Sequence, residues 1–513
     1  MELKYGTWTI SSYEPADARA LCAAGFSPIT AALLCSRGYR DAGAAREFLS
    51  CSYPLSSPFD LLDMDRAAAR VRLALQRREH IAVFGDYDVD GITATCLLTE
   101  YLRSRGGHVT SYIPARLEEG YGLNPIAIDT LKKQGVELIV TVDCGITANQ
   151  EAVLCRELGI DLVITDHHEC KSELPQAVAL VNPHRKDQPQ PVTEMAGVGV
   201  AFKLAAAIEG DQEKLLDQYC DFLCLGTVAD VMPLTGENRT MVARGLRALA
   251  NPKRVGIAAL MAECAVQKGP VTAGTIGYTL APRINAAGRM GEVHVATELF
   301  LTHDAARAVE LAGTLCRLNR KRQEIEGSIY QSAVAMLPPG GPPQAIVLAD
   351  ERWHQGVVGI VASRMAEEYS CPTFLICLDG DKGKASSRSY GGFNLFRSLE
   401  QLSGLLESYG GHELAAGFTI RRACIEPFRE KMLQLCSSFR QHGARDRLRD
   451  PAGAADYRKH PGARRARALR RGLPAADPVH ARAAGHGADR GRRRQASAAA
   501  AEQGPVHLGR DLL

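Results

Sequence analysis

The sequence predicts a two-lobed α/β protein: a parallel-sheet domain, a long connecting helix, a smaller α/β domain and a disordered tail rich in Arg and Ala. Three observations predict it. Four short apolar runs between residues 81 and 181 alternate with helical stretches, as buried parallel strands do. A charged helical pattern from Ala305 to Leu337 stops at Pro338-Pro339-Gly340-Gly341-Pro342-Pro343, a strong break. A second strand pattern then opens at Ala345.

In chain order, residues 1–65 read as a helical region, with apolar positions three and four apart at Ala18, Leu21, Ala24 and at Ile29, Leu33, Leu34. A helix from Asp65 to Arg77 opens the large domain, residues 66–304. Its strands are Ile81–Phe84, Leu138–Val142, Leu162–Thr165 and Val178–Val181, each almost continuously apolar. Residues 305–337 form the connecting helix, with Leu311, Leu315, Leu318, Ile325 and Ile329 along it. The second domain, residues 344–440, contains strands at Ala345–Leu348 and Thr373–Cys377.

Residues 443–513 differ in kind. They hold 18 Ala and 15 Arg but no Ile, Phe, Met, Trp or Cys, so they cannot build a core. Such a composition reads either as a disordered basic arm that holds nucleic acid or as an out-of-frame read of GC-rich DNA; the second is preferred, and a frameshift near residue 440 is expected.

The 513-residue chain has no apolar run of membrane-spanning length and no apolar signal core behind Met1. Its 15 cysteines include no C-x-x-C pair, which excludes zinc-ribbon spacing and favours reduced thiols in the cytoplasm. The net charge of +3 divides into +9 for the tail and −6 for the rest. A broad basic surface is excluded, so any nucleic-acid contact must be local.

Four motifs carry chemistry. Gly85-Asp86-Tyr87-Asp88-Val89-Asp90-Gly91 places three acids in five residues after the first strand. It reads either as a solvated acidic turn or as carboxylate ligands for hard divalent cations. Asp143 follows the second run and reads as a helix cap or a ligand. Asp166-His167-His168 follows the third; paired imidazoles behind an acid suit a metal or a phosphate. Asp230 closes Leu225-Gly226-Thr227-Val228-Ala229. Three of the four lie where open α/β sheets place their sites. Several Asp with His and no Cys match Mn²⁺ or Mg²⁺, and enough carboxylates are present for two ions suited to displacement at phosphorus.

Asp88-x-Asp90-Gly91, Asp143, Asp166-His167-His168 and Asp230 resemble the motifs of the DHH phosphoesterase superfamily. Lys384-Ala385-Ser386-Ser387-Arg388-Ser389 and Tyr409-Gly410-Gly411-His412-Glu413-Leu414-Ala415-Ala416-Gly417-Phe418 resemble its DHH-associated domain. Ser36-Arg37-Gly38-Tyr39, Ala281-Pro282-Arg283-Ile284-Asn285-Ala286-Ala287-Gly288-Arg289-Met290 and the long helix resemble the branch of bacterial single-stranded-DNA-specific exonucleases. The resemblance covers residues 10–440. That branch usually continues into an oligonucleotide-binding barrel, which the tail replaces here.

The resemblance implies two Mn²⁺ or Mg²⁺ ions held by Asp88, Asp90, Asp143, His167 and Asp230, with Asp143 bridging. It implies a catalytic group of Asp143, Asp166 and His168, in which Asp166, like Asp86, supports and His168 serves as a ligand or scissile-phosphate contact. Ser386, Ser387, Arg388, Gly410, Gly411 and His412 would hold phosphates. Arg283 and Arg289, flanking a flexible Asn-Ala-Ala-Gly stretch, would clamp the backbone. The implied activity is hydrolysis of single-stranded DNA from the 5′ end to mononucleotides in repair and recombination. The implied setting is a monomer with no membrane contact, working with single-strand-binding protein and a repair helicase. One alternative shares these motifs, a DHH phosphodiesterase for small nucleotides or short oligonucleotides, against which the N-terminal helical region and the flanking segments argue; a second, a non-enzymatic scaffold, is expected to lose metal ligands, all of which are present here.

Overall fold

A computed structural model describes residues 11–449, except 116–118, 121, 268 and 339–343. Nearly all of the Arg/Ala-rich tail, which the expected frameshift would have produced, lies outside the described residues.

Three short helices, α1 (Pro15–Ala23), α2 (Pro28–Ser36) and α3 (Ala42–Ser50), close a small core around Leu21, Leu34 and Phe48. Helix α4 (Met64–Arg77) then leads into β1 (His80–Gly85), α5 (Val89–Ser104), β2 (His108–Tyr112), α6 (Pro125–Lys133), β3 (Leu138–Val142), α7 (Asn149–Glu157), β4 (Asp161–Thr165) and β5 (Ala179–Val181). These five strands form one parallel sheet in the order β2-β1-β3-β4-β5.

Alternation along the strands builds a core on each face. Ile81, Val83, Leu138, Val140 and Val142 enter the larger core, with α4, α5 and the helices that follow. Ala82, Phe84 and Ile139 enter the smaller one, beneath α6 and α7. Burial on both faces explains why β1 and β3 read as continuous apolar runs. The sheet winds both ways from the β1–β3 boundary, the switch point where such folds open a crevice.

Seven helical segments complete the lobe: α8 (Gly197–Glu209), α9 (Gln212–Ala229), α10 (Gly236–Leu249), α11 (Val255–Glu263), the single turn α12 (Ala273–Thr275), α13 (Ala281–Arg289) and α14 (Val293–Leu301). A π-helical turn, Ile276–Leu280, runs directly into α13. The Asn285-Ala286-Ala287-Gly288 stretch is therefore not flexible. It is helical, and Gly288 packs so tightly that a Cβ there would stand 2.4 Å from the Tyr87 carbonyl oxygen.

The 31-residue helix α15 (Ala305–Ala335) links the lobes. The second lobe contains β6 (Ile346–Asp350), α16 (Gln355–Tyr369), β7 (Thr373–Asp379), β8 (Lys382–Arg388), α17 (Leu395–Gln401), β9 (Leu406–Gly411), β10 (Ala415–Arg421) and α18 (Ile425–Arg449). Its sheet order is β6-β7-β8-β10-β9, with β6 and β7 parallel and the other pairs antiparallel. Helix α16 and the end of α15 cover one face, and α18 covers part of the other.

Candidate metal centre and substrate face

The centre forms where β1, β3 and β4 release their chains at the sheet's carboxyl edge, joined by the C-terminal end of α9. Asp88 is the cap of α5: its Oδ1 accepts from the amides of Asp90 (2.9 Å) and Gly91 (3.1 Å), leaving Oδ2 for the site. Capping and ligation are thus compatible in one carboxylate. Asp90 is buried in the first turn of α5. Its two oxygens accept from the Gly197 amide (2.6 Å) and the Val198 amide (2.9 Å) at the start of α8, whose helix dipole favours an anion.

His167 is the hub. Its Nε2 lies 3.0 Å from Asp143 Oδ1, 3.7 Å from Asp230 Oδ2 and 3.8 Å from Asp90 Oδ2. The geometry admits three overlapping ligand sets: Asp90, His167 and Asp230; Asp143, His167 and His168; and Asp86, Asp88 and Asp143. Asp86, expected in a supporting role, thus stands with its carboxylate among the possible ligands.

The donor set fits hard divalent cations. Asp143 is buried, and among the described residues no N–H or O–H is aligned to donate to its Oδ1, which faces His167 Nε2 at 3.0 Å. Burial, then the charges of Asp90, Asp88, Asp86 and Asp230, push its carboxyl well above the usual carboxylate range. Burial, with Asp230 and Asp88, does the same to Asp90. A cation reverses both effects by supplying the missing opposite charge.

Asp166 differs. Its Oδ1 accepts from the His167 amide (2.7 Å), the His168 amide (3.1 Å) and His168 Nδ1 (2.8 Å), and its Oδ2 accepts from the Ile146 amide (2.9 Å). Burial opposes its charge, but these bonds hold its carboxyl below the usual range. Its hydrogen bonds are spent on orienting the paired histidines. Burial also opposes a charged His168 ring, yet the Asp166 bond and charge prevail and push the imidazole up to about 9. With Nδ1 fixed, Nε2 is the atom His168 presents.

Three supports carried no spacing signal. Asn182 follows β5, is fully buried and donates to the His168 carbonyl (2.9 Å). It ends the fourth apolar run, so the strand-end logic applied to the other motifs points to it too. Asn285 Oδ1 accepts from the Val89 amide (3.1 Å), tying α13 to the acidic loop. Gly197 lets α8 approach: a Cβ there would stand 2.5 Å from Asp143 Cβ.

On the second lobe, Ser386 and Arg388 share a face of β8, and Arg388 Nη1 donates to Ser386 Oγ (3.3 Å) and to the Ser387 carbonyl (2.8 Å). Ser387 is a correction. It is fully buried, because alternation turns its side chain to the opposite face, level with Phe374 and Ala416. Gly417 pairs with Ser386 on one side and Gly410 on the other, which sets Ser386 and Gly410 in one row across three strands. Gly410, Gly411 and His412 are exposed, and the His412 amide donates to the Ala415 carbonyl (2.9 Å). Arg283 folds back onto the Thr279 carbonyl (2.5 Å), whereas Arg289 Nη1 crosses to the Gly356 carbonyl of α16 (3.1 Å).

Comparison with known proteins agrees with this architecture. Residues 80–227 match the DHH family, N-terminal domain, and residues 342–438 match the DHHA1 domain. The single-stranded-DNA-specific exonuclease RecJ of Bacillus subtilis is 39% identical over 416 residues, which is 80% of this chain but 52% of that protein. The chain therefore spans about half of that relative's length. The Dickeya dadantii protein of the same name is 37% identical, over 73% of this chain and 69% of its own. The crystal structure of RecJ with Mn²⁺ from Thermus thermophilus superposes with a TM-score of 0.72 at 34% identity, covering 84% of this chain and 62% of that one. The two motif-bearing lobes, the relative matched over most of its length and the shared fold lead to one conclusion: the chain belongs to the RecJ family of DHH proteins.

Proposed function

We propose that the protein is a metal-dependent exonuclease that hydrolyses single-stranded DNA from its 5′ end to mononucleotides. The observation that carries this reading is the placement of His167 Nε2 among carboxylates from three separate elements. Relatives named as single-stranded-DNA-specific exonucleases support the substrate.

In this reading Asp88, Asp90, Asp143, His167 and Asp230, with Asp86, hold two Mn²⁺ or Mg²⁺ ions. When bound, such ions supply Lewis acidity at neutral pH. Asp166 fixes Nδ1 of His168, so Nε2 faces the scissile phosphate and donates to one of its oxygens. Arg388 and Ser386 take a neighbouring phosphate by charge-assisted hydrogen bonds, with Gly410, Gly411 and His412 on the strand beyond. Arg283 and Arg289 engage the sugar–phosphate backbone, a contact that positions a strand without reading its bases. The proposal extends to a place in DNA repair and recombination, in the cytoplasm, as a monomer working with single-strand-binding protein and a repair helicase. The domain limits used in this reading are 66–304 for the catalytic lobe and 344–440 for the substrate-binding lobe.

The test offers a long single strand and a dinucleotide to the protein with Mn²⁺. Mononucleotide release from the strand supports the reading. Turnover of the dinucleotide alone would replace it with a small-nucleotide phosphodiesterase.

A further inference from the structure

Tyr278 is 72% exposed, more than any other described aromatic side chain. Folding therefore gives little reason for a large ring at this position. It stands in the π-helical turn Ile276–Leu280, a rare geometry that recurs at functional sites. That turn continues without a break into α13, whose residues are tied to the centre. Asn285, seven residues on, holds the Val89 amide of the acidic loop. Gly288 packs on Tyr87 of the same loop, and Arg289 reaches the second lobe. At about 1.5 Å per residue, Tyr278 stands roughly 10 Å along this helix from Asn285. Arg283 lies between them, its guanidinium folded back onto Thr279.

We infer that Tyr278 is a stacking platform for one nucleobase of the bound strand, on the stretch of chain that leads to the metal centre. This rests on the single-strand reading above. Every base has a π-face, so such a contact adds grip without sequence preference, and a nearby guanidinium strengthens it. The lobes' phosphate contacts fix the backbone, while a ring outside the centre holds a base that is not yet reacting.

The experiment measures release of the first nucleotide from strands of about a dozen nucleotides, at increasing enzyme concentration, with Mn²⁺. Tyr278→Ala, Tyr278→Phe and the native protein are compared, after thermal melts confirm that each is folded. The strands are intact or carry one abasic site moved stepwise along the chain. Tyr278→Ala is expected to need about ten times more enzyme for half-maximal release from the intact strand, and Tyr278→Phe to stay within about twofold. One abasic position should bring the native protein to the level of Tyr278→Ala while leaving that variant unaffected. Equal behaviour of Tyr278→Ala and the native protein would overturn the inference, as would an alanine loss that persists at every abasic position. If the native protein releases nothing from the intact strand, the single-strand reading fails and takes this inference with it.

Discussion

Asp143 combines a left-handed backbone (φ 60°) with a buried carboxylate crowded by four others. Both features are costly: the backbone by about 1–3 kcal/mol whether or not a cation is bound, the carboxylate, in the absence of one, by repulsion and lost hydration. Asp143→Asn should therefore raise the melting temperature of the metal-free protein while abolishing the further rise that Mn²⁺ gives the native one. A fall in metal-free stability would show that the carboxylate has another partner. Gly197→Ala makes a complementary prediction, because the added methyl would occupy space now taken by the Asp143 side chain. It should weaken Mn²⁺ affinity at least tenfold and destabilise the fold by about 1–3 kcal/mol, although Gly197 offers no ligand atom. Calorimetric titration with Mn²⁺ checks the first part and urea unfolding the second. At this scale the sequence displayed the candidate ligands, because Asp and His recur at strand ends. It concealed Asn285 and Gly197, whose contributions are a hydrogen bond and a missing side chain, and it marked Asn182 only by its place at a strand end. Ser387 was misplaced because adjacency in sequence is opposition across a strand.

The elements are held in place by partly buried ion pairs. Lys203 of α8 and Glu237 of α10 are both buried, 2.7 Å apart, and Ser56 of the preceding linker bonds to both. Glu237→Ala leaves a buried ammonium without its partner and should cost about 3–5 kcal/mol in urea unfolding. Asp63, before α4, accepts from Arg185 Nη1 (2.8 Å) and the Leu180 amide (3.3 Å), joining α4 to the end of β5. Burial opposes its charge, yet the Arg185 and Arg66 bonds hold its carboxyl below the ordinary value. A depressed carboxyl binds fewer protons in the folded state, so its stabilisation is present above the ordinary carboxylate range and is lost as pH falls. Asp63→Asn should thus cost about 1–3 kcal/mol at pH 7 and progressively less toward pH 3. A penalty independent of pH would assign the role to shape rather than charge. The strands β1, β3 and β4 were legible because burial on both faces demands continuous apolar runs. Strand β2 was not: it lies at the sheet edge, and His108, Thr110, Ser111 and Tyr112 are exposed or partly exposed.

The whole molecule sets a carboxylate-dense crevice on one lobe and a strand face on the other, bridged by α15 and by the close approach of Arg289 to α16. A Cβ on Gly356 would stand 2.2 Å from the Arg289 carbonyl oxygen, so the lobes meet backbone to backbone. With the chain up to residue 442 carrying −6, the proposed DNA affinity would not come from a general positive field on that part of the chain. Contacts by Arg283, Arg289 and Arg388 alone would give a slope of about −2 for log affinity against log salt. A much steeper slope would reveal a basic surface elsewhere, the Arg-rich tail included. The central claim, that this centre removes nucleotides from the 5′ end of a single strand, has one most direct test. Mn²⁺-dependent mononucleotide release is compared on the same oligonucleotide with a free 5′ end, with a blocked 5′ end and as a duplex. Release from the free single strand, and not from the other two, is the predicted result. Equal release from all three, or release only from the 3′ end, would contradict it.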